Sequence, residues 1–259
     1  KNGDQPVDTG FIVFNNVNYP HLVRLFEKLD VPLVKSNMSF GASLRDGEIE
    51  YGTTNLRAVF AQRRNLISPK FLGMLRDIVR FNANAVRLSS DPGITLGDFL
   101  QRLGTGHWFR DYYLLPMSGA IWSTPTAQMM DFPAQALVRF FENHALLSHT
   151  GQHEWISVKG GSQEYVSRLQ TEMQRQGTEL RLGAQVKGVR RQGHVAEVRA
   201  HGAEWEAFEA VVFATHSDDT LALLTDPTTE EKVILGAVSY QSNDIILHAD
   251  ASVMPKRRA

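Results

Sequence analysis

The sequence contains no cysteine, which excludes disulfides, thiolate-held metals and cysteine nucleophiles and fits a reducing compartment; a cytoplasmic protein is expected. It carries no excess of either charge. Its 27 Lys and Arg stand against 28 Asp and Glu, a formal net charge of −1, so the basic footprint of a dedicated nucleic-acid binder is missing. No apolar run approaches the roughly 18 residues that span a bilayer, and residues 1–10 lack the apolar core of a signal peptide; peripheral membrane contact stays open. There is no G-x-G-x-x-G, no H-E-x-x-H and no G-x-S-x-G. A ready-made phosphate cradle, a helical zinc site and a nucleophile elbow are therefore unmarked, and no metal is expected.

What is present is a globular composition: 259 residues, 42% of them hydrophobic, enough to fill one large domain or two packed ones. The run Phe11 to Phe14, followed by Asn15, Asn16 and Asn18, reads as a strand leaving a core. Pro20 suits the first turn of a helix whose Leu22, Leu25, Phe26 and Leu29 share a face. The segments MSFGASL and GEIEYG across Arg45-Asp46-Gly47 predict a β-hairpin. From Asn55 to His149 the pattern is mostly helical. Ser68 before Pro69 opens a helix with Phe71, Leu75, Ile78 and Val79 on one side, and Thr95 to Asp98 caps another. A further helix is expected from Ala134 to Leu147. After Gly151 the pattern turns to alternating strands and helices: WISVKGGSQEYVSRLQ, then a strand centred on Val186, a hairpin at Gln192-Gly193-His194, and the apolar run VVFATH, Val211 to His216, read as a buried parallel strand. Residues Asp244 to His248 look strand-like.

Four features could carry chemistry. Gly160-Gly161-Ser162, between a strand and a helix, would let backbone approach a phosphate or a flavin edge, or would simply make a tight turn. Ala214 and Thr215 end an apolar run of the kind whose carboxyl end carries ligands in doubly wound folds; a plain core strand is the other reading. Tyr112, Tyr113, Trp122, Phe132, Phe140 and Phe141, with His144 nearby, could wall an apolar substrate cavity or be ordinary core. Ser118 and Ser162 leave only an unmarked hydrolase arrangement.

In order, these blocks match more than any does singly. DTGFIVFNNVNYPHLVRLFEKLDVPL, with Asp8, Gly10 and Leu29-Asp30-Val31, resembles the segment that follows the glycine-rich motif in flavin-containing amine oxidases and phytoene-desaturase-like enzymes. VKGGSQEYVSRL, ELRLGAQVKGV and AVVFATHSDDTLALL are similar to that superfamily's return to its flavin domain. With MSF, PMSGAIWS and FFENHALL, the chain most resembles bacterial proteins described as NAD/FAD-binding or amine-oxidase-like. These are similar in turn to the oxidoreductase-like domain attached to some plant cyclopropane fatty-acid synthases.

The resemblance implies an α/β architecture: a split FAD/NAD(P)-binding Rossmann-like domain, incomplete here, with an interleaved, largely helical substrate domain. Residues 1–18 and 151–224 would belong to the first, 19–150 to the second, and 225–259 would begin the return to the substrate domain. It implies FAD as cofactor, with Gly10 and Phe11 near the isoalloxazine ring, Val186 at the adenine, Ala214 and Thr215 beside the ADP half, and Gly160 and Gly161 near the flavin and the domain junction. Tyr113, Trp122 and His144 are the candidate substrate-pocket residues; no catalytic residue is assigned. The glycine-rich motif lies outside the chain, which starts at Lys1 and ends at Ala259 as if cut at both ends, so a fragment with weak or no FAD binding is expected. An oxidoreductase acting on an apolar substrate, a fatty acyl chain or an amine, is the leading expectation. A lipid-binding accessory protein without redox turnover is the alternative.

Overall fold

The computed structural model describes all residues except 1–6, 11–12, 123–127, 149–150, 152, 241, 243–245 and 258–259. The chain forms two compact units, residues 1–172 with 246–259, and residues 173–245.

In the first unit, Phe14 makes a two-way backbone bridge to Ile156, at 2.9 and 2.8 Å; Phe11 and Ile12 of the expected strand lie outside the described residues. Helix α1 (Pro20–Lys28) starts on a proline, whose missing N–H would have had no intrahelical partner anyway, and buries Phe26. Phe26 meets Phe14 edge-on at 5.3 Å, and Leu29 and Val31 complete this small cluster. Strand β1 (Leu33–Lys35) pairs antiparallel with residues Ile156–Val158. Strands β2 (Gly41–Leu44) and β3 (Ile49–Gly52) form the expected hairpin, with Arg45, Asp46 and Gly47 all at positive φ.

The larger core is helical. Helix α2 (Leu56–Val59) is capped by Asn55, a 3₁₀ turn follows at Arg63–Ile67, and Ser68 caps α3 (Pro69–Leu88) by accepting the Phe71 N–H at 3.3 Å. Helix α3 buries Phe71, Met74, Phe81 and Ala85, together with Asp77, which accepts the Gly106 N–H at 2.8 Å. Val79 was expected on that face but is 55% exposed. At 100° per residue it falls in the row of Leu72 and Val86, away from Phe71 and Phe81. Thr95 caps α4 (Leu96–Leu103), which closes on Gly104 in the left-handed region.

The aperiodic aromatic stretch is one interrupted helix: α5 (His107–Phe109), a π turn at Arg110–Leu114, and α6 (Leu115–Trp122). Pro116 explains the interruption. It has no N–H to give to the carbonyl four residues earlier, Tyr112, and that carbonyl instead accepts the Tyr51 hydroxyl at 2.5 Å. Helix α7 (Ala134–Asn143) stops short of the expected Leu147, because Ala145 turns the chain at φ 54°. Strand β4 (Ile156–Val158) then leads through Gly160-Gly161 into α8 (Ser162–Arg175), whose Tyr165 and Leu169 pack on the Phe14 cluster.

In the second unit, β5 (Val186–Gln192), β6 (Val195–Ala200) and β7 (Glu206–Phe208) form an antiparallel meander with Gly193 at its first turn. Two guanidinium groups lie over the Trp205 ring, Arg190 at 4.2 Å and Arg199 at 4.7 Å. Helices α9 (Ser217–Leu223) and α10 (Thr229–Gly236) follow, the latter with a complete capping box of Thr228 and Glu231. Residues 211–216 are not the buried parallel strand that their apolar run suggested: they form no ladder, and Val212 is 91% exposed. Such a strand needs hydrogen-bonding neighbours and covered faces. Among the described residues the one parallel pairing is the isolated bridge of Val189 to Leu224. Residues 246–248 likewise form no strand, with Ile246 and Leu247 81% and 71% exposed; Asp244 and Ile245 lie outside the described residues.

Candidate functional site

The Gly-Gly turn is built as the sequence suggested, but its helix end is already filled. Gly160 and Gly161 take φ of 93° and 82°, which L side chains rarely adopt, and they turn β4 into α8. The Ser162 N–H, one of the donors a helix start leaves without an intrahelical acceptor, is accepted by both carboxylate oxygens of Asp8 at 3.1 and 2.9 Å. A Cβ on Gly161 would come within 2.9 Å of Asp8 Oδ2. The negative charge that suits a helix N-terminus is thus supplied by the chain itself. Gly10 is exposed two residues on, with open space around it, and Phe11 lies outside the described residues.

Two of the three substrate-pocket candidates meet in one row of rings. Phe132 lies 5.3 Å from Trp122, Trp122 lies 4.9 Å from Phe140, and Phe140 stacks on His144 at 3.9 Å and 21°. Trp155, next to β4, continues the row parallel to His144 at 6.0 Å, and Tyr19 meets His144 edge-on at 6.5 Å. His144 Nδ1 is 2.9 Å from the Phe140 carbonyl, which can only accept, so Nδ1 carries a proton. In the neutral ring Nε2 is then an acceptor. Beside it the Asn143 carbonyl, at the end of α7, accepts from Asn18 Nδ2 at 2.9 Å and from His153 Nε2 at 3.2 Å. This is where residues 15–19 and 153–156, flanking the small Phe14 cluster, tie to the helical core.

Tyr113 belongs to a different set. It packs on Phe109 at 5.6 Å, and Phe109 leads through Phe81 to Phe141. Adjacent residues of α7 thus serve two networks: Phe141 faces the core with Tyr113, and Phe140 faces His144 and Trp122. Burial pushes the Tyr113 phenol up to about 12 and raises Tyr51 further, so both stay neutral at ordinary pH. No local pattern marks Trp155 or Tyr19 as partners of His144: Trp155 reaches it across the turn that follows α7, and Tyr19 from 125 residues away.

Val186, Ala214 and Thr215 lie in the second unit. Val186 opens β5, pairs with Ala200 and is 40% exposed. Ala214 and Thr215 are exposed, and Thr215 Oγ1 is 2.7 Å from Thr220 Oγ1. Sequence spacing missed a group of His216, Asp218 and Asp219, whose ligand atoms lie within 4.8 Å of one another. All three are exposed, at the start of a seven-residue helix whose positive end opposes a cation. Ser118 is fully buried, and among the described residues its hydroxyl has no hydrogen-bond partner and no histidine to activate it, which removes the main support for a Ser118 hydrolase.

These elements define a class of protein. The model of a family described as flavin containing amine oxidoreductase matches residues 1–257, and the chain belongs to that family, whose cofactor is FAD. The resemblance read from the ordered sequence blocks is borne out. Among solved structures, the CLA-producing fatty acid isomerase from P. acnes is similar, with a TM-score of 0.53 and 10% identity, over 89% of this chain and 52% of that one. That likeness is one of fold, and the chain spans about half the length of this neighbour. No curated protein matches the chain.

The residues at the Gly160-Gly161 turn do not fit the pyrophosphate of FAD. A pyrophosphate needs unpaired N–H groups at a glycine-lined helix start, and at the Gly160-Gly161 start of α8 the Ser162 N–H is already taken by Asp8. A phosphate placed there would face a carboxylate.

Proposed function

We propose that this chain is the substrate-handling part, with portions of the flavin-binding part, of an FAD-dependent oxidoreductase that acts on an apolar substrate. A fatty acyl chain is favoured over an amine. In this reading residues 1–18 and 151–224 belong to a split Rossmann-like FAD domain, residues 19–150 form the substrate domain, and residues 225–259 begin the return to it. The observation that carries the reading, beside family membership, is the row Trp122, Phe140, His144 and Trp155. It offers mostly apolar ring faces with a single oriented imidazole. A row of this kind suits a long hydrocarbon, and it holds no carboxylate to pair with an ammonium group. The name of the fatty acid isomerase with the same fold agrees with that choice.

FAD would supply the redox chemistry, while the protein orients the substrate and excludes water. Gly10, Phe11, Val186, Ala214 and Thr215 are proposed to line the cofactor, and Gly160 and Gly161 to shape the junction that Asp8 fastens. Tyr113 is proposed to support the pocket wall from the core side. Residues 1–259 alone are proposed to retain little FAD, since Asp8 already holds the Gly-Gly start of α8.

The test is the visible spectrum of a longer chain that carries these residues, followed by anaerobic titration with an unsaturated fatty acid and with a primary amine. Bleaching by the fatty acid alone is expected. Bleaching by the amine alone would overturn the substrate class, and absence of bound flavin would sink the oxidoreductase reading in favour of a lipid-binding accessory protein.

A further inference from the structure

The segment from Leu56 to Leu88 departs from the charge balance of the rest of the chain. It holds seven Lys or Arg and one acid, Asp77, in a protein whose net charge is −1. Asp77 is buried and accepts from Gly106, so it offers no counter-charge at the surface apart from a 3.4 Å contact with Arg76. On the outer side of α3 two rows run in parallel. Leu72, Val79 and Val86, seven residues apart, are 42%, 55% and 47% exposed. At 100° per residue, Arg76, Arg80 and Arg87 form the adjoining row. Among the described residues Arg80 and Arg87 bond only to neutral acceptors, the Gly104 carbonyl at 2.8 Å and Asn84 Oδ1 at 3.1 Å. Just before α3, Leu66 and Ile67 are 51% and 82% exposed. Arg63 and Arg64 make no hydrogen bond or ion pair among the described residues, and they line an open pocket of about 630 Å³ with Arg257, Asp46 and Glu48.

We propose that this face, the 3₁₀ turn with the outer side of α3, docks the protein on an anionic phospholipid membrane surface. The helix is about 30 Å long and would lie in the interfacial plane. Its aliphatic row would enter the boundary between headgroups and acyl chains, and its arginine row would meet lipid phosphates. Arg63 and Arg64 would take a headgroup at the pocket mouth, while Asp46 and Glu48 on the same wall limit how much negative charge it accepts. A nucleic acid would use the arginines but gain nothing from bare Leu, Val and Ile side chains, which offer no ring to stack on a base.

Sedimentation with vesicles tests it, using phosphatidylcholine alone and phosphatidylcholine with about 30 mol% phosphatidylserine. The protein should sediment with the anionic vesicles, and less so as salt rises. Arg63→Gln with Arg64→Gln should weaken binding by about fivefold per arginine, roughly 25-fold together. Val79→Ser with Val86→Ser should weaken it by roughly tenfold, with the melting temperature unchanged. No sedimentation with anionic vesicles, equal binding by both variants, or single-stranded RNA binding that the arginine variant loses and the valine variant keeps would each overturn the proposal.

Discussion

Asp8 and Ser162 are 154 residues apart in sequence, yet both carboxylate oxygens of Asp8 accept the Ser162 backbone N–H. This contact turns a helix start that looked ready for an anion into a fastening between the N-terminal segment and α8. It acts as an N-cap supplied from far along the chain.

Removing the cap should cost what caps usually cost. Asp8→Ala is expected to lower stability by about 1 kcal/mol, seen as a shift of a few degrees in thermal melting. Gly161→Ala should cost more, since its φ of 82° strains any L side chain and its Cβ would crowd Asp8. In a double-mutant cycle the two should couple, the alanine at 161 costing less once Asp8 is gone. Strict additivity would show that the 2.9 Å approach is relieved without cost.

Alkaline unfolding should report the two buried phenols. Unfolded tyrosines ionise near the usual 10, whereas Tyr113 holds its proton to about 12 and Tyr51 beyond that. Stability should therefore be intact below pH 10 and fall as pH rises through 12, by about 3 kcal/mol for Tyr113. Tyr51→Phe should flatten that fall and cost about 1 kcal/mol at neutral pH, because the Tyr112 carbonyl opposite Pro116 loses its donor. Melting temperatures across the alkaline range, with phenolate absorbance, check both.

Glu50 holds the segment that carries Lys256 and Arg257. Its carboxylate accepts the Lys256 backbone N–H at 2.7 Å and the Arg257 guanidinium at 2.6 Å, and Ser43 adds a third donor. The Lys256 N–H first, then Arg257 and Ser43, hold its pKa below the ordinary 4.5 against the opposing effect of burial. This contribution to stability is complete above pH 4.5 and is lost as pH falls through the depressed value. Glu50→Gln should release the segment at neutral pH, and trypsin should then cleave at Lys256 faster than in the wild type. An unchanged cleavage rate would mean that other contacts hold it.

In the second unit, Gly188 leaves room for Trp205. A Cβ there would lie 3.1 Å from both the indole and Thr225 Cγ2. Gly188→Val should push Trp205 away from Arg190 and Arg199, measured as a shift in tryptophan emission with a loss of roughly 1–3 kcal/mol. An unshifted spectrum would show that the sheet yields instead.

Local chemistry made much of the fold legible. Ser68-Pro69, Thr95 with Asp98, Arg45-Asp46-Gly47 and Gln192-Gly193 mark element ends through bonds spanning only a few residues, and each turn or cap stands where its residues place it. The run Val211 to His216 misled because an apolar strand is defined by its neighbours, which no run of side chains can supply. The break at Pro116 was visible as lost periodicity. Its resolution, a carbonyl handed to Tyr51, was not.

By itself, the sequence determined the family, the helical caps and the hairpin turns, since each rests on neighbouring residues or on ordered blocks along the chain. Only the tertiary structure decided that Trp155 and Tyr19 join Phe140 at His144, that Tyr113 faces the other way, and that Asp8 fills the Gly-Gly helix start. The contact of Asp8 with Ser162 joins residues 154 positions apart, and that of Tyr19 with His144 is nearly as long; packing and the need of orphaned polar groups for partners chose them, and nothing in local sequence encodes which distant group arrives.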